Sequence, residues 1–237
     1  MADHGVDNEQ LLTARLRLRR PTPADIDAIY HIHRDPQACA HNPSDMLATR
    51  GDAEDLYRRW DEHWKRHGFG YWVIRSQAVV RAAGGLPARV DGHQPEATVL
   101  GFCGLKLMQL KNLDVLNLFY RLNPPAWGDG VATEAATAVV AWASAHVPNH
   151  PVIARVRPEN IGSIRVAVRA GLRRAEYLDT DGEDGPDWIY IRTPQPTAAY
   201  LDGPTLTSQP TNDNPTTVRE KGQYEASGGE AGTPLNQ

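Results

Sequence analysis

The amino-acid sequence predicts a layered α/β (α+β) domain, and three observations support this prediction. Segments with the apolar pattern of strands are interspersed with segments whose apolar residues recur at helical spacing. Three of the strands follow one another with no helix between them, which indicates an antiparallel meander. The second half of the chain then alternates strand and helix. This order of elements is typical of helices packed on a sheet.

The first half is predicted to hold an outer strand, two helices and the meander. "LRLRR" at 16–20 alternates apolar and basic residues, and prolines follow it. Helical spacing then extends over 24–35 and over 52–67. The three strands of the meander are expected at 69–75, 98–108 and 114–122.

The second half is predicted to begin with a helix at 131–147, followed by a β-branched strand, "PVIARV". A short helix comes next, and Gly171 lies where a glycine commonly ends a helix. We expect a strand around "RRAEYL" and a last strand at "DWIYIR".

The end of the chain differs from the rest in composition. From Pro194 to Gln237 there are six prolines and few clustered apolar residues. Such a segment cannot bury enough apolar surface to offset the entropy lost on ordering. We therefore expect one folded domain over residues 1–193 and a disordered, acidic, Pro/Gly/Thr-rich tail over residues 194–237.

Composition disfavours several classes of protein. The net charge of -4 offers no basic surface for nucleic acid or for an anionic membrane. Cys39 and Cys103 are too few for a disulfide framework and suit a reducing compartment. The N-terminus lacks the apolar run of a signal peptide, and no apolar run approaches the roughly 20 residues that span a bilayer. We therefore expect a cytoplasmic protein with no nucleic-acid or membrane partner.

The stretch "PAWGDGVATEAATAVVAWA", residues 125–143, places a glycine-rich turn directly before an apolar helix. Such a turn exposes backbone N–H groups at a helix N-terminus, where the helix dipole favours a phosphate or pyrophosphate. A P-loop is disfavoured because no Lys-Ser or Lys-Thr follows the last glycine. A dinucleotide-binding fingerprint is disfavoured because Thr133 replaces its third glycine, and Arg155 and Arg157 stand where its acidic residue belongs.

The same junction resembles the acyl-CoA-binding motif of the GCN5-related N-acetyltransferases, the GNAT superfamily. The order Trp-Gly-x-Gly-x-Ala-Thr-Glu-Ala at 127–135 is similar to the RimJ/RimL-type branch. "RPENIGSIRVAVRAGLRRAE" at 157–176 is similar to the second motif of that branch, and "LTARLRLRRPTPAD" and "HRDP" resemble its amino-terminal pattern. The matches extend from about residue 11 to residue 193, in the order that the family has them.

This resemblance implies a GNAT fold, which has a mixed, mostly antiparallel central sheet flanked by helices. It also implies acetyl-CoA as the co-substrate and no metal. The glycine loop would bind the pyrophosphate of the coenzyme. The residues to which the resemblance gives this coenzyme-binding role are Trp127, Gly128, Asp129, Gly130, Val131, Ala132 and Thr133. Asp129 departs from relatives, which often have lysine or arginine at that position, and it is also able to cap the helix.

The resemblance assigns catalytic roles to Ser163 and Asn160. Asn160 would bind the pantetheine arm near the thiol, and it is also a good N-cap for the helix that follows it. Ser163 would protonate the departing CoA thiolate, because the tyrosine that many superfamily members use corresponds here to Ala167. A serine in a helix also bonds the carbonyl one turn back or faces water, so a structural role stays open.

The general base stays open, since an amine acceptor must lose a proton before it attacks the thioester. Asp35, Asp114, Glu183 and a water relay are the candidates. Three further residues line either the acceptor groove or the core, namely Asn117, Tyr120 and Trp64.

The histidines do not indicate a metal site. His63 and His67 are four residues apart but lack the glutamate of a His-Glu-x-x-His motif. His31 and His33 would point to different faces of a helix, and no third ligand is spaced to complete a zinc site.

We therefore predict an N-acetyltransferase that transfers acetyl directly from acetyl-CoA to a primary amine. The acceptor is either a protein N-terminal α-amine, as in ribosomal-protein acetylation, or a small-molecule amine. A different class of function stays open as the alternative, namely a non-catalytic acyl-CoA-binding module whose tail recruits a partner. The sequence leaves open whether the protein is a monomer or a homodimer.

Overall fold

The computed structural model describes residues 8–77 and 98–193, and between these ranges only the backbone of Val80–Arg81 and Pro87–Ala88. The tail expected at 194–237 lies outside the described residues.

The described helices and strands follow the predicted order. The helices are α1 (Ile26–His33), α2 (Arg50–His67), α3 (Val131–His146) and α4 (Ile161–Arg169). The strands are β1 (Gln10–Leu12), β2 (Leu16–Arg19), β3 (Tyr71–Ser76), β4 (Val80–Arg81), β5 (Pro87–Ala88), β6 (Val99–Leu110), β7 (Leu113–Leu122), β8 (Val152–Val156), β9 (Arg173–Arg174), β10 (Thr180–Gly182) and β11 (Gly185–Arg192). Among these helices, none is both long and apolar enough to cross a membrane.

Nine of the described strands form one sheet in the order β1-β2-β3-β6-β7-β8-β11-β10, with β9 also paired to β11. Neighbours are antiparallel except β7 and β8, which are parallel. The predicted meander corresponds to β3, β6 and β7, which are adjacent in the sheet. The prediction of a mixed, mostly antiparallel sheet flanked by helices is thus confirmed.

Alternate residues of the central strands face different helices, as the pleat requires. Trp72 and Ile74 of β3 join the core cluster that includes α3 and α4. Val73, between them, packs with Phe102 in a second cluster that includes α1 and α2. The two helical layers therefore cover opposite faces of the sheet.

Local sequence signals set several helix ends. Thr49 and Asp52 form a capping box at the start of α2. Gly68 ends that helix in the left-handed conformation, with φ 73°. Gly171 follows α4 with φ 88°, and its N–H bonds the Val168 carbonyl at 3.0 Å. The predicted end of α4 at Gly171 is confirmed.

Two details differ from the prediction. The outer strand is preceded by a second strand, β1, and the turn between them is held by Glu134 of α3, whose carboxylate accepts from Thr13 Oγ1 at 2.5 Å and from Arg15 N at 2.9 Å. The strand expected around "RRAEYL" is two residues long and gives way to a helical turn, Glu176–Leu178. The Ala175 N–H still donates to the Ile189 carbonyl at 2.8 Å, and the Asp179 carboxylate accepts from the Ile189 N–H at 2.9 Å in place of a strand residue.

Candidate active site

The sheet opens between β7 and β8. The two strands pair at only two positions, Leu116 with Val152 and Asn117 with Ile153. Beyond them, β7 stays paired with β6 and β8 stays paired with β11. The strands therefore separate, and the backbone groups on their facing edges have no partner strand there.

Two cavities meet at this opening. We call the first the α3 cavity: it has a volume of about 830 Å³, and Tyr120, Val131 and Ser163 are among the residues that line it. We call the second the α2 cavity: it has a volume of about 760 Å³, and Trp60 and Asn117 are among its lining residues. The residues that line both cavities are Asn42, Leu118, Phe119, Arg121, Arg155 and Arg157.

The glycine loop forms one end of the α3 cavity. Gly128 and Gly130 have φ of 89° and 76°, a conformation that favours glycine. Gly130 is the N-cap of α3 and makes no side-chain cap bond. The first backbone bond of the helix comes from the Glu134 N–H to the Gly130 carbonyl, at 3.0 Å. The N–H groups of 131–133 precede that bond, so they have no carbonyl acceptor within the helix and remain available to an anion.

Most of the residues predicted for coenzyme binding and catalysis come together at the α3 cavity. Those that line the α3 cavity are Trp127, Gly128, Gly130, Val131, Ala132, Thr133, Asn160 and Ser163. Asp129 is the exception, since it is exposed and does not line the cavity. It does not cap α3 either. Trp127 is 48% exposed, and its indole N–H donates to the Leu122 carbonyl at 3.3 Å.

Glu134 fixes the start of α3 against the β1–β2 turn. It forms an ion pair with Arg15, whose Nε lies 2.7 Å from the carboxylate. Burial opposes ionisation of Glu134, but the hydrogen bonds from Thr13 and Arg15 outweigh it and lower the pKa of the carboxyl. The ionised side chain therefore anchors the glycine loop to the sheet.

Asn160 and Ser163 are held together at the start of α4. The Asn160 side-chain oxygen accepts from the Ser163 N–H at 2.9 Å, so Asn160 is the N-cap of α4, as predicted. The amide NH₂ of Asn160 is left to donate elsewhere. Tyr120 of β7 donates its phenol to the Ser163 carbonyl at 3.4 Å. Burial raises the pKa of Tyr120 above its usual range, so this phenol stays a donor.

The Ser163 hydroxyl, by contrast, has no hydrogen-bond partner within the described residues. Ser144 of α3 shows the structural alternative, since its hydroxyl donates to the Val140 carbonyl one turn back at 3.0 Å. Ser163 lines the α3 cavity. Ala167, at the position of the usual superfamily tyrosine, is only 1% exposed and packs in the core. A side chain at 167 therefore points into the core.

The three candidate bases differ in whether they line the α2 cavity. Only Glu183 of these three lines the cavity, and it is exposed. Asp35 lies outside it, where its carboxylate accepts from the backbone N–H groups of Gln37 and Ala38 at 2.8 and 3.0 Å. Asp114 is exposed near the β6–β7 turn and also lies outside the cavity.

The three candidate groove residues lie in three different places. Asn117 lines the α2 cavity, as predicted for an acceptor groove. Tyr120 lines the α3 cavity instead, because residues three apart on a strand point to opposite faces. Trp64 is buried in the core, with its indole N–H on the Tyr71 carbonyl at 3.0 Å. Core packing is therefore the role of Trp64.

Charged pairs that the sequence analysis missed surround the opening. Arg121 has a side chain that is 5% exposed and pairs with Asp45 at 2.8 Å, while its Nη1 has no partner within the described residues. Arg157 pairs with Asp187 at 3.1 Å and donates to the Asn42 side chain at 3.1 Å. The sequence signal for these pairs was the presence of arginines at the ends of apolar strands, because a buried charge needs a partner of opposite charge.

His33 is a second residue that sequence reasoning missed as part of the site. It is 2% exposed and lines the α2 cavity. Its Nδ1 lies 3.0 Å from the Ile29 carbonyl, which only accepts, so Nδ1 carries the proton. Burial and then the charge of Arg121 lower the pKa of His33 to about 3. The imidazole is therefore neutral at physiological pH.

Of the two histidines on α2, His63 serves the backbone. His63 Nδ1 bonds the Phe69 carbonyl at 2.8 Å, and its Nε2 accepts from the Leu107 N–H at 3.1 Å. Both ring nitrogens are thus used. Among the described residues, no three His, Cys, Asp or Glu side chains are grouped to hold a metal ion.

Comparisons with known proteins place the chain in a family. Residues 15–173 match the family model described as "Acetyltransferase (GNAT) domain". An uncharacterized protein of Bacillus subtilis (strain 168), YkkB, is 34% identical over 171 residues, which are 71% of this chain and 88% of that protein.

Solved structures show the same fold. A ribosomal-protein-S5-alanine acetyltransferase from Vibrio fischeri has a TM-score of 0.57 at 15% identity, covering 79% of this chain and 97% of that one. A spermidine N-acetyltransferase from Vibrio cholerae, solved with CoA and spermine, has a TM-score of 0.56 at 13% identity, covering 80% of this chain and 100% of that one. These likenesses agree with the fold that the motifs imply. The chain belongs to the GNAT acetyltransferase family and is an N-acetyltransferase.

Proposed function

We propose that the protein transfers an acetyl group directly from acetyl-CoA to a primary amine at the opening between β7 and β8. One observation carries this proposal: two cavities meet where the strands part. Tyr120 lines only the α3 cavity and Asn117 lines only the α2 cavity, although both belong to β7. This arrangement supports entry of the coenzyme from one face of the sheet and of the amine from the other.

The polar groups of the α3 cavity suit coenzyme A. The free N–H groups of 131–133 and the helix dipole of α3 favour the pyrophosphate. The edge of β7 beyond Asn117 offers backbone groups to the amides of an extended pantetheine arm, as a strand edge does to a peptide. The amide NH₂ of Asn160 is a further donor along that path. We therefore propose the cavity as the coenzyme site, without Asp129 as a contact.

We propose that the chemistry takes place beside Ser163. The neutral amine attacks the thioester carbonyl carbon, and a backbone N–H on the free edge of β7 stabilises the developing oxyanion. As the C–S bond breaks, the Ser163 hydroxyl gives its proton to the sulfur, and the proton that the attacking nitrogen loses returns through water to the Ser163 oxygen. Asn160 and Tyr120 act as positioning residues, because they hold the N–H and the carbonyl of Ser163.

The proton of the incoming ammonium would leave toward the α2 cavity. Glu183 is the base that geometry supports among the three sequence candidates, either directly or through water. His33 also lines this cavity, but an imidazole with a pKa of about 3 is a weak base.

Charges at the α2 cavity bear on the class of acceptor. Some charged residues that line this cavity have no ion-pair partner in the described part of the chain. Three of them are basic, namely Arg59, Arg66 and Lys106, and two are acidic, namely Glu62 and Glu183. This balance disfavours a polycation. We therefore favour an amine with no further positive charge, such as a peptide α-amine, over a polyamine like that in the Vibrio cholerae structure.

An acceptor screen tests the proposal. Acetyl-CoA is incubated with N-terminal peptides, small mono-amines and spermidine, and free thiol and acetylated product are both measured. We expect thiol release that requires the amine and equals the acetylated product, with peptides or mono-amines ahead of spermidine. If the protein binds CoA but acetylates no amine, it is the non-catalytic acyl-CoA-binding module instead.

A further inference from the structure

The α3 cavity has a strongly one-sided charge. Its lining includes five arginines and no aspartate or glutamate. Three of these arginines pair with carboxylates that lie outside the cavity, in the pairs Arg121–Asp45, Arg155–Asp187 and Arg157–Asp187. The other two, Arg165 and Arg169, are exposed and have no partner within the described residues. One wall of the cavity thus carries two uncompensated positive charges.

Both of these arginines belong to α4, together with Ser163. Residues four apart lie on the same face of a helix, so Arg165 and Arg169 are neighbours. A helix rises about 1.5 Å per residue, which places Arg169 roughly 9 Å along α4 from Ser163. Ser163, Val166 and Arg169 all line the α3 cavity. Helix α4 therefore borders the cavity from the proposed thiol end to a basic end.

Coenzyme A carries one phosphate more than the glycine loop accounts for. Its pyrophosphate suits the N–H groups at the start of α3, whereas its third phosphate is a monoester on the ribose. A phosphomonoester carries close to two negative charges at neutral pH and three acceptor oxygens. Planar guanidinium groups bind such oxygens bidentately.

We propose that Arg165 and Arg169 bind this ribose phosphomonoester and make the site select coenzyme A over dephospho-coenzyme A. The assignment rests on the proposed function of the α3 cavity. It gives α4 two tasks, with the catalytic serine in its first turn and a phosphate clamp that extends from its middle to its C-terminal end. This assignment does not change the proposed amine acceptors or the proposed chemistry of acetyl transfer.

Calorimetric titration with both coenzymes tests the assignment. The wild-type protein is compared with the double variant Arg165→Gln/Arg169→Gln at low salt. Arg173→Gln is the matched control, since Arg173 is exposed, lies four residues after Arg169 and does not line the cavity. We expect the wild type and the control to bind coenzyme A roughly tenfold or more tightly than dephospho-coenzyme A. The double variant should bind the two equally, with the wild-type affinity for dephospho-coenzyme A.

Three results would overturn the assignment. Equal binding of the two coenzymes by the wild type shows that no phosphomonoester contact exists. A double variant that loses affinity for both coenzymes alike shows that the arginines bind the pyrophosphate. If the wild type binds neither, the proposed function itself fails and takes the assignment with it. The preference of the wild type should also shrink as salt is raised, because exposed charges are screened.

Discussion

Replacing Gly130 with valine tests the glycine loop, and the protein supplies its own control at Gly68. The two glycines have almost the same backbone conformation, with φ 76° and ψ 10° at Gly130 and φ 73° and ψ 10° at Gly68. A β-carbon at Gly130 would come no closer than 3.5 Å to Arg15, and one at Gly68 would meet nothing within 4 Å. Steric crowding by the β-carbon is therefore small at both sites.

The strain of a left-handed conformation remains, and it costs a non-glycine residue about 1–3 kcal/mol. Gly130→Val and Gly68→Val should therefore lower the free energy of unfolding by similar amounts in urea denaturation. Only Gly130 lines the α3 cavity. Its valine would crowd the N–H groups proposed for the pyrophosphate, where each charge-assisted hydrogen bond is worth about 1.5–3 kcal/mol.

Calorimetry should therefore show at least a roughly tenfold loss of CoA affinity in Gly130→Val. Gly68→Val should bind CoA as the wild type does. Equal CoA affinity in the two folded variants would refute the pyrophosphate site at this loop.

Three other predictions concern catalysis, pH and the tail. Ser163→Ala should lower kcat by roughly 10²-fold or less and leave the KM for acetyl-CoA nearly unchanged. The control variant Ser144→Ala should leave both constants unchanged. If Ser163→Ala keeps the wild-type kcat when chemistry limits the rate, the role of the serine is structural. Burial lowers the pKa of His33 from its ordinary value of 6.5 to about 3, so the unfolded chain takes up its proton first as pH falls. Unfolding free energy should then drop by about 2 kcal/mol between about pH 7.5 and about pH 5, and His33→Asn should remove most of that drop in urea titrations; an identical drop in the variant would contradict the buried neutral imidazole. Ending the chain after Thr193 should leave the melting temperature and acetyl-CoA turnover nearly unchanged, and loss of either would show that the tail belongs to the domain.

Most of the fold could be predicted because its signals are local. The alternation in "LRLRR", the apolar stripe of α2 and the glycine after α4 each lie within a few residues of the element they define. Strand β1 was missed because its turn has no glycine or proline and depends on Glu134, more than a hundred residues away. The early end of β9 likewise depends on Asp179 and its bond to Ile189.

The site could be predicted in part for the same reason. The glycine loop and the Asn160 cap are continuous in sequence, and the motif resemblance supplied their roles. Arg121, Arg157 and His33 come from three separate elements, and only the fold brings them to the opening. The orientation of the Tyr120 side chain could have been predicted. Tyr120 is three residues from Asn117 on the same strand, so the two side chains point to opposite faces of the sheet.

A crystal structure of the protein with coenzyme A is the most direct test of the proposed coenzyme site. We expect the pyrophosphate on the backbone N–H groups of 131–133, the pantetheine arm along the free edge of β7, and the sulfur beside Ser163 at the opening between β7 and β8. Coenzyme bound in the α2 cavity, or with its sulfur far from that opening, would contradict it.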